Sequence, residues 1–255
     1  MTNIGVLDSG VGGLSVLWEL KKALPNQNFI FFGDTKHVPY GTKTKEEIFT
    51  YTKNILEFFL EKNVRNVVFA CNTTSAVAYL DLREYFLNKI NIFPLIQSAA
   101  PYAVQGLKEN DTIAALATRA TTKSGKYEEE IKKINDKINV VSIDCTGFVE
   151  IVENRTYDDK KSIDLIKEKL QIAKDNKAKR IILGCTHYPY LAAIMKKIYN
   201  VDYFDPGYYL AKTVKNSLEN KGEGKLEFFV SKNPKEFILS AKTFFDIEKA
   251  QLVNL

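Results

Sequence analysis

The sequence predicts an α/β protein with two similar parallel-sheet α/β domains related by pseudo-twofold symmetry and an active site in the cleft between them. Short β-branched or aromatic runs alternate with amphipathic helical stretches along nearly the whole chain, which is the pattern of βαβ units. Two runs match each other, Asn66 to Ser75 (NVVFACNTTS) and Arg180 to Pro189 (RIILGCTHYP). The runs Ile4 to Ser9 and Ile113 to Thr118 match in the same way, which predicts the repeat.

The first half of the chain contains four such strand–helix pairs. Gly and Pro close the runs: Pro25 stops the first helix, and Gly33-Asp34 follows the second strand. The predicted strands are Asn3–Leu7, Asn28–Phe32, the run before Cys71 and Ile92–Ile96. The predicted helices are Gly12–Leu24, Glu46–Lys62, one through Phe86, and Pro101–Leu107.

The second half repeats the alternation, and a tail adds one more strand between two helices. The predicted strands are Thr112–Leu116, Asn139–Ile143, the run before Cys185, Val201–Phe204 and, in the tail, Leu226–Val230. The predicted helices are Thr122–Ile134, Phe148–Val152, Lys160–Lys174, Tyr190–Tyr199, Tyr209–Leu218 and Pro234–Phe245.

Composition favours a globular protein of the reducing cytoplasm. Of 255 residues, 45% are apolar and 26% charged, and the net charge of +5 comes from lysines interspersed with acidic residues, which argues against a nucleic-acid surface. We expect no signal peptide, no membrane span and no membrane partner. Three cysteines without a paired C-x-x-C motif predict free thiols and no metal site.

Polar groups follow two of the cysteines directly. Asn72-Thr73 follow Cys71, and Thr186-His187 follow Cys185, although a buried cysteine in a core needs no such neighbours. Hydroxyls, amides and helix N-termini at strand ends favour a reactive thiol, and an imidazole can exchange protons near neutral pH. Cys145, by contrast, is expected to be a core residue.

Two further motifs lie at strand ends or in the loops after them. Asp8-Ser9 begin DSGVGG, which lacks the third glycine of a dinucleotide fingerprint, so Asp34 is not expected to bind a ribose. We expect Asp8 and Ser9 to hold a small cationic group. Tyr40 and Gly41, in VPYG, are candidates to offer a hydroxyl and a backbone amide to a carboxylate.

Two thiols at matched positions predict chemistry that is itself symmetric. Inverting a stereocentre needs a base on one face and an acid on the other, and a thiolate and a thiol can serve without a cofactor. A Cys185-His187 nucleophilic hydrolase remains an alternative, as does a non-catalytic amino-acid-binding protein. The hydrolase would leave Cys71 dispensable, and the binding protein would exchange no α-proton.

The motifs DSGVGGLSV, VPYGTK, CNTTSA and GCTHYP, in this order, resemble those of the glutamate racemases in the cofactor-independent aspartate/glutamate racemase superfamily. The resemblance extends to the tail, LEFFVSKNPKEF, while segments 94–100, 117–121 and 145–154 depart from the usual pattern. It implies interconversion of L- and D-glutamate for bacterial peptidoglycan and a homodimer. Racemisation of aspartate or another amino acid is the alternative within the superfamily.

The resemblance also assigns residues and domains. It implies Cys71 and Cys185 as the acid/base pair, Asp8 assisting the first, His187 the second, and Glu153 as a further catalytic residue near the Cys185 side. The implied substrate-binding residues are Asp8, Ser9, Tyr40, Gly41, Asn72, Thr73, Thr118, Thr121, Thr186 and His187. The implied first domain is 1–97 plus 208–255, completed by the tail, and the second is 98–207.

Overall fold

The computed structural model describes residues 3–242 and 244–255, and it has an α/β fold with two parallel sheets. The strands are β1 (Ile4–Asp8), β2 (Phe29–Gly33), β3 (Asn66–Phe69), β4 (Asn91–Pro94), β5 (Thr112–Ala117), β6 (Asn139–Asp144), β7 (Arg180–Gly184), β8 (Asp202–Phe204), β9 (Leu226–Val230) and β10 (Gln251–Leu252). The β-branched and aromatic content of these runs suits strands that are covered on both faces.

Helices connect and cover the strands. They are α1 (Leu14–Ala23), α2 (Lys45–Glu61), α3 (Asn72–Val77), α4 (Tyr79–Tyr85), α5 (Leu95–Ala103), α6 (Arg119–Ser124), α7 (Lys126–Lys132), α8 (Phe148–Glu153), α9 (Lys160–Asp175), α10 (Ala192–Ile198), α11 (Pro206–Ser217) and α12 (Pro234–Ala241). Short 3₁₀ helices occupy Tyr40–Thr42 and Tyr188–Leu191. None of the helices in the described residues is long and apolar enough to cross a membrane.

The two sheets share one strand order, which confirms the repeat predicted from the sequence. One sheet runs β10-β9-β2-β1-β3-β4 and the other β6-β5-β7-β8, so β2-β1-β3-β4 corresponds to β6-β5-β7-β8. Leu7 on β1 pairs with Phe69 on β3, and Leu116 on β5 pairs with Leu183 on β7. The carboxyl ends of the central strands therefore carry the motifs in equivalent positions.

The tail belongs to the first sheet. Strand β9 pairs with β2, and β10, which the sequence did not predict, pairs with β9. Phe229 on β9 packs against Phe58 of α2 with ring centroids 5.0 Å apart. Helix α11 packs on both α1 and α5. The domain boundaries, 1–97 with 208–255 and 98–207, stay a prediction.

Several helix boundaries were wrong. The helix predicted for 101–107 is α5, which starts at Leu95 because the Leu95 amide donates to Ser75 Oγ at 2.9 Å and leaves the β ladder. The helix predicted for 122–134 starts earlier and divides into α6 and α7 at Gly125, whose φ is +64°. The tail helix ends at Ala241, and the helix predicted through Phe86 divides at Ala78.

Candidate active site

A small pocket lies where the carboxyl ends of the two sheets face each other. Most of the predicted site residues line it: Ser9, Tyr40, Gly41, Cys71, Asn72, Thr73, Thr118, Cys185, Thr186 and His187. Cys71 and Cys185 are only 4% and 8% exposed, so both sulfurs are shielded from bulk water. The pocket therefore combines two thiols from matched strand ends with hydroxyl, amide and imidazole groups.

Cys71 is held as a thiol. It is the N-cap residue of α3, its Sγ accepts from the Thr74 amide at 3.5 Å, and the Ser9 hydroxyl lies 3.9 Å away. Burial, with the negative charge of Asp8 adding to it, raises the Cys71 pKa to about 12. The thiol form is consequently the dominant one at neutral pH, and Cys71 suits the role of acid.

Cys185 faces a cation instead. Its Sγ lies 3.7 Å from His187 Nδ1, and His187 Nε2 lies 2.6 Å from Glu153 Oε1. Burial lowers the His187 pKa, but the contacts with Cys185 and Glu153 outweigh this and raise it to about 10. A protonated His187 can donate to both partners, and it places a positive charge beside the Cys185 sulfur.

Asp8 is a fully buried carboxylate that bonds to a residue of the pocket lining, Thr186. It accepts hydrogen bonds from the Gly10 amide at 3.0 Å and the Thr186 hydroxyl at 3.3 Å. Burial raises the Asp8 pKa, although the charge of His187 and these hydrogen bonds act in the opposite direction. Asp8 thus joins the first domain's site to Thr186 in the second.

Three threonines join the two sides of the cleft. The Thr73 hydroxyl lies 3.0 Å from that of Thr118, and Thr121 completes a triangle at 3.1 Å from Thr118 and 3.3 Å from Thr73. Thr118 also caps α6 through the Thr121 amide. These hydroxyls can reorient, so they can exchange their mutual hydrogen bonds for bonds to a bound carboxylate.

Two glycines let the domains approach each other closely. A Cβ on Gly12 would lie 2.4 Å from Thr186 Oγ1 and 2.6 Å from His187 Nδ1. A Cβ on Gly41 would lie 2.6 Å from the Thr118 Cβ. The glycines of DSGVGG and VPYG therefore permit backbone-to-side-chain contact across the cleft.

The structure changes the expected contacts of two site residues. The Tyr40 hydroxyl does not offer its proton to a substrate carboxylate, because it donates to Asp34 Oδ2 at 2.6 Å. Glu153 lies outside the pocket lining and contacts it through His187 Nε2. Asp8 and Thr121 also lie outside the lining, and each hydrogen-bonds to a residue in it.

Sequence reasoning missed several residues that shape the pocket. Val38, Pro39 and Val149 belong to its lining, and Tyr127 donates to Asn72 Oδ1 at 2.5 Å from the second domain. Burial keeps the Tyr127 pKa well above its ordinary value, so this hydroxyl remains a donor. Val38 and Pro39 are the first two residues of the VPYG motif, whereas nothing in the sequence around Tyr127 signals its contact.

The buried imidazolium makes stability depend on pH. Folding raises the His187 pKa from 6.5 to about 10, so the folded protein binds this proton more tightly than the unfolded chain. The resulting stabilisation is full below pH 6.5 and is lost as pH rises toward 10. We expect the difference in melting temperature between the wild type and His187→Asn to shrink across that range in calorimetric scans. A difference that stays constant with pH would contradict a buried imidazolium.

The pocket therefore contains two buried thiols on opposite sides. The Asp8 charge acts on Cys71, and the His187 imidazole lies beside Cys185, so the site has the groups that a proton-transfer enzyme needs. The family model described as Asp/Glu/Hydantoin racemase matches residues 4–214. The chain belongs to that racemase family.

Within the family, glutamate racemases are among the similar proteins. Glutamate racemase 2 of Caldanaerobacter subterraneus subsp. tengcongensis is 41% identical over 247 residues, covering 94% of this chain and 91% of that protein. The glutamate racemase of Francisella tularensis, solved with D-glutamate, superposes with a TM-score of 0.89 at 31% identity and covers 100% of this chain and 97% of its own. The Thermus thermophilus glutamate racemase, solved with β-chloro-D-alanine, has a TM-score of 0.86 at 32% identity, covering 100% and 97%.

Proposed function

We propose that this protein is a cofactor-independent glutamate racemase that interconverts L- and D-glutamate by proton transfer between Cys71 and Cys185. The observation that carries the proposal is the pair of buried thiols contributed to one pocket by matched strand ends. The similarity to glutamate racemases supports glutamate as the substrate.

The proposed mechanism gives the two thiols opposite starting states. Cys71 starts as the thiol, which burial and the Asp8 charge favour, and Cys185 starts as the thiolate beside protonated His187. In one direction the Cys185 thiolate takes the α-proton, and the Cys71 thiol gives its proton to the opposite face. Product then leaves with Cys71 as thiolate and Cys185 as thiol, which is the state that runs the reverse reaction.

Substrate recognition follows from the polar lining. We assign the carboxylates to the hydroxyls of Thr73, Thr118 and Thr186, the Asn72 side chain and the Gly41 amide. The ammonium faces Ser9 and the Asp8 charge. The α-proton is very weakly acidic, so oriented donors in a pocket that excludes water must stabilise the carbanion-like state.

The wider role is part of the same proposal. D-Glutamate would supply peptidoglycan synthesis in the cytoplasm, and the protein would act as a homodimer. Segments 1–97 with 208–255 and 98–207 would be the two domains that close on substrate. No nucleic-acid or membrane partner is required for this chemistry.

The test is α-proton exchange with purified protein and L-glutamate in D₂O, without added cofactor. We expect the α-proton NMR signal and the circular dichroism to decay together, because each inversion installs a solvent-derived deuteron. Exchange with aspartate or another amino acid but not glutamate would support the two-thiol mechanism and identify a different substrate. Absence of exchange with any amino acid would contradict the proposal and favour a hydrolase or a binding protein.

A further inference from the structure

Asp34 is a buried carboxylate that the racemase mechanism does not use. It follows β2, is 2% exposed, and accepts hydrogen bonds from two segments of the chain, the loop after β2 and the tail. The Tyr40 hydroxyl donates at 2.6 Å, the Ser231 hydroxyl at 2.6 Å, and His37 Nδ1 lies 2.9 Å away. A buried carboxylate with three donors is a strong and directional anchor, since charge-assisted hydrogen bonds are stronger than neutral ones.

The donors on Asp34 are themselves fixed in place. The Ser231 hydroxyl, at the end of β9, also accepts from the Lys36 amide at 2.9 Å, so its proton is directed at Asp34. The His37 ring stacks on Tyr51 of α2 with centroids 3.9 Å apart. The tail and the loop after β2 therefore converge on Asp34, and α2 packs against one of the donors, His37.

Tyr40 connects Asp34 to the pocket. Tyr40 and Gly41 begin a 3₁₀ turn, and both line the pocket beside the thiols. Gly41 also lies against Thr118 of the second domain, close enough that a Cβ there would clash. Burial and the Asp34 charge raise the Tyr40 pKa well above its ordinary value, so the tyrosine stays a donor.

We infer that Asp34 is a positioning residue for substrate binding, which holds the Val38–Thr42 loop through Tyr40 so that the Gly41 amide meets a substrate carboxylate. It also makes the C-terminal tail part of the support of the active site, through Ser231. This inference rests on the proposed function for its substrate but not for the anchoring of the loop.

Three substitutions test the contributions of Asp34, Tyr40 and Ser231 separately. Asp34→Asn removes the charge, Tyr40→Phe removes only the hydroxyl by which the loop is bonded to Asp34, and Ser231→Ala removes the link to the tail. Thr35→Val is the matched control, because the Thr35 hydroxyl bonds the same tail at the Lys232 carbonyl, 2.5 Å away, without touching Asp34. All four proteins are compared with the wild type as full-length chains.

Two readouts are measured on each variant. In hydrogen–deuterium exchange, we expect faster exchange in residues 38–43 of Asp34→Asn and Tyr40→Phe, and no change in Thr35→Val. In racemisation, losing a charge-assisted hydrogen bond should raise KM about tenfold in Asp34→Asn and about fivefold in Tyr40→Phe. A smaller rise of KM is expected for Ser231→Ala, and kcat should change less than about threefold throughout, because the thiols are untouched.

The results can overturn the inference in two ways. Unchanged exchange in both Asp34→Asn and Tyr40→Phe would show that Asp34 does not order the loop. Faster exchange with an unchanged KM would show that loop order does not govern carboxylate binding. A wild type that fails to racemise glutamate would instead overturn the proposed function, and the exchange data would still decide the anchoring.

Discussion

Replacing either Cys71 or Cys185 with alanine is expected to abolish racemisation in both directions, with kcat/KM falling by about 10³-fold or more. In the proposed mechanism each thiol serves one face of the substrate, and inversion needs a proton removed from one face and delivered to the other. Because the two enantiomers are equal in free energy, loss of either group lowers kcat/KM equally in both directions. Circular dichroism with L- and D-glutamate as separate substrates measures the effect.

The third cysteine supplies the control. Cys145 is as buried as the other two, and its Sγ lies 3.5 Å from the Ile143 carbonyl, away from the pocket lining. Cys145→Ala should therefore keep near-normal racemisation. Near-normal activity in either Cys71→Ala or Cys185→Ala would rule out the two-base scheme, and activity retained only in Cys71→Ala would favour a Cys185-His187 nucleophile.

Replacing Asp8 with asparagine is expected to destroy activity and to stabilise the protein. The substitution keeps the shape but removes the negative charge that faces the ammonium and raises the Cys71 pKa. Breaking a buried charge pair costs about 3–5 kcal/mol, so kcat/KM should fall by about 10²-fold to 10⁴-fold. Racemisation kinetics measure this loss.

The gain in stability has the same origin. Folding raises the Asp8 pKa above its ordinary value of 3.8, so the folded protein binds that proton more tightly, and stability falls as pH rises through the folded pKa. At neutral pH the buried charge is a net cost, which Asp8→Asn removes, and the melting temperature should rise. Asp81→Asn, at a surface carboxylate paired with Lys45, should change neither quantity appreciably. A lower melting temperature in Asp8→Asn would contradict the prediction that the buried Asp8 charge lowers the stability of the folded protein.

The sequence was informative where residue type and position act locally. A cysteine followed by polar groups at a strand end is visible without coordinates, and the matched runs around Cys71 and Cys185 predicted correctly that both would line one pocket. Strand positions could also be predicted from the sequence, because β-branched and aromatic runs form the buried strands of both sheets.

Helix boundaries were harder to predict from the sequence, because tertiary contacts decide them. The start of α5 depends on a hydrogen bond between Ser75 and Leu95, twenty positions apart in sequence. The break between α6 and α7 depends on a glycine that adopts positive φ. The residues near Leu95 in sequence do not include Ser75, and the residues near Gly125 do not reveal that it adopts a positive φ.

The sequence by itself determined the fold class, the pseudo-symmetric repeat and the identity of the two thiols, since hydrophobic periodicity and short motifs are local properties. Only the tertiary structure decided how the two thiols differ. The Asp8 charge acts on Cys71, whereas His187, itself bonded to Glu153, lies beside Cys185, and these arrangements depend on burial and on distances between segments far apart in sequence. The same holds for Tyr40, whose hydroxyl serves Asp34 because folding brings the end of β2 and the tail together.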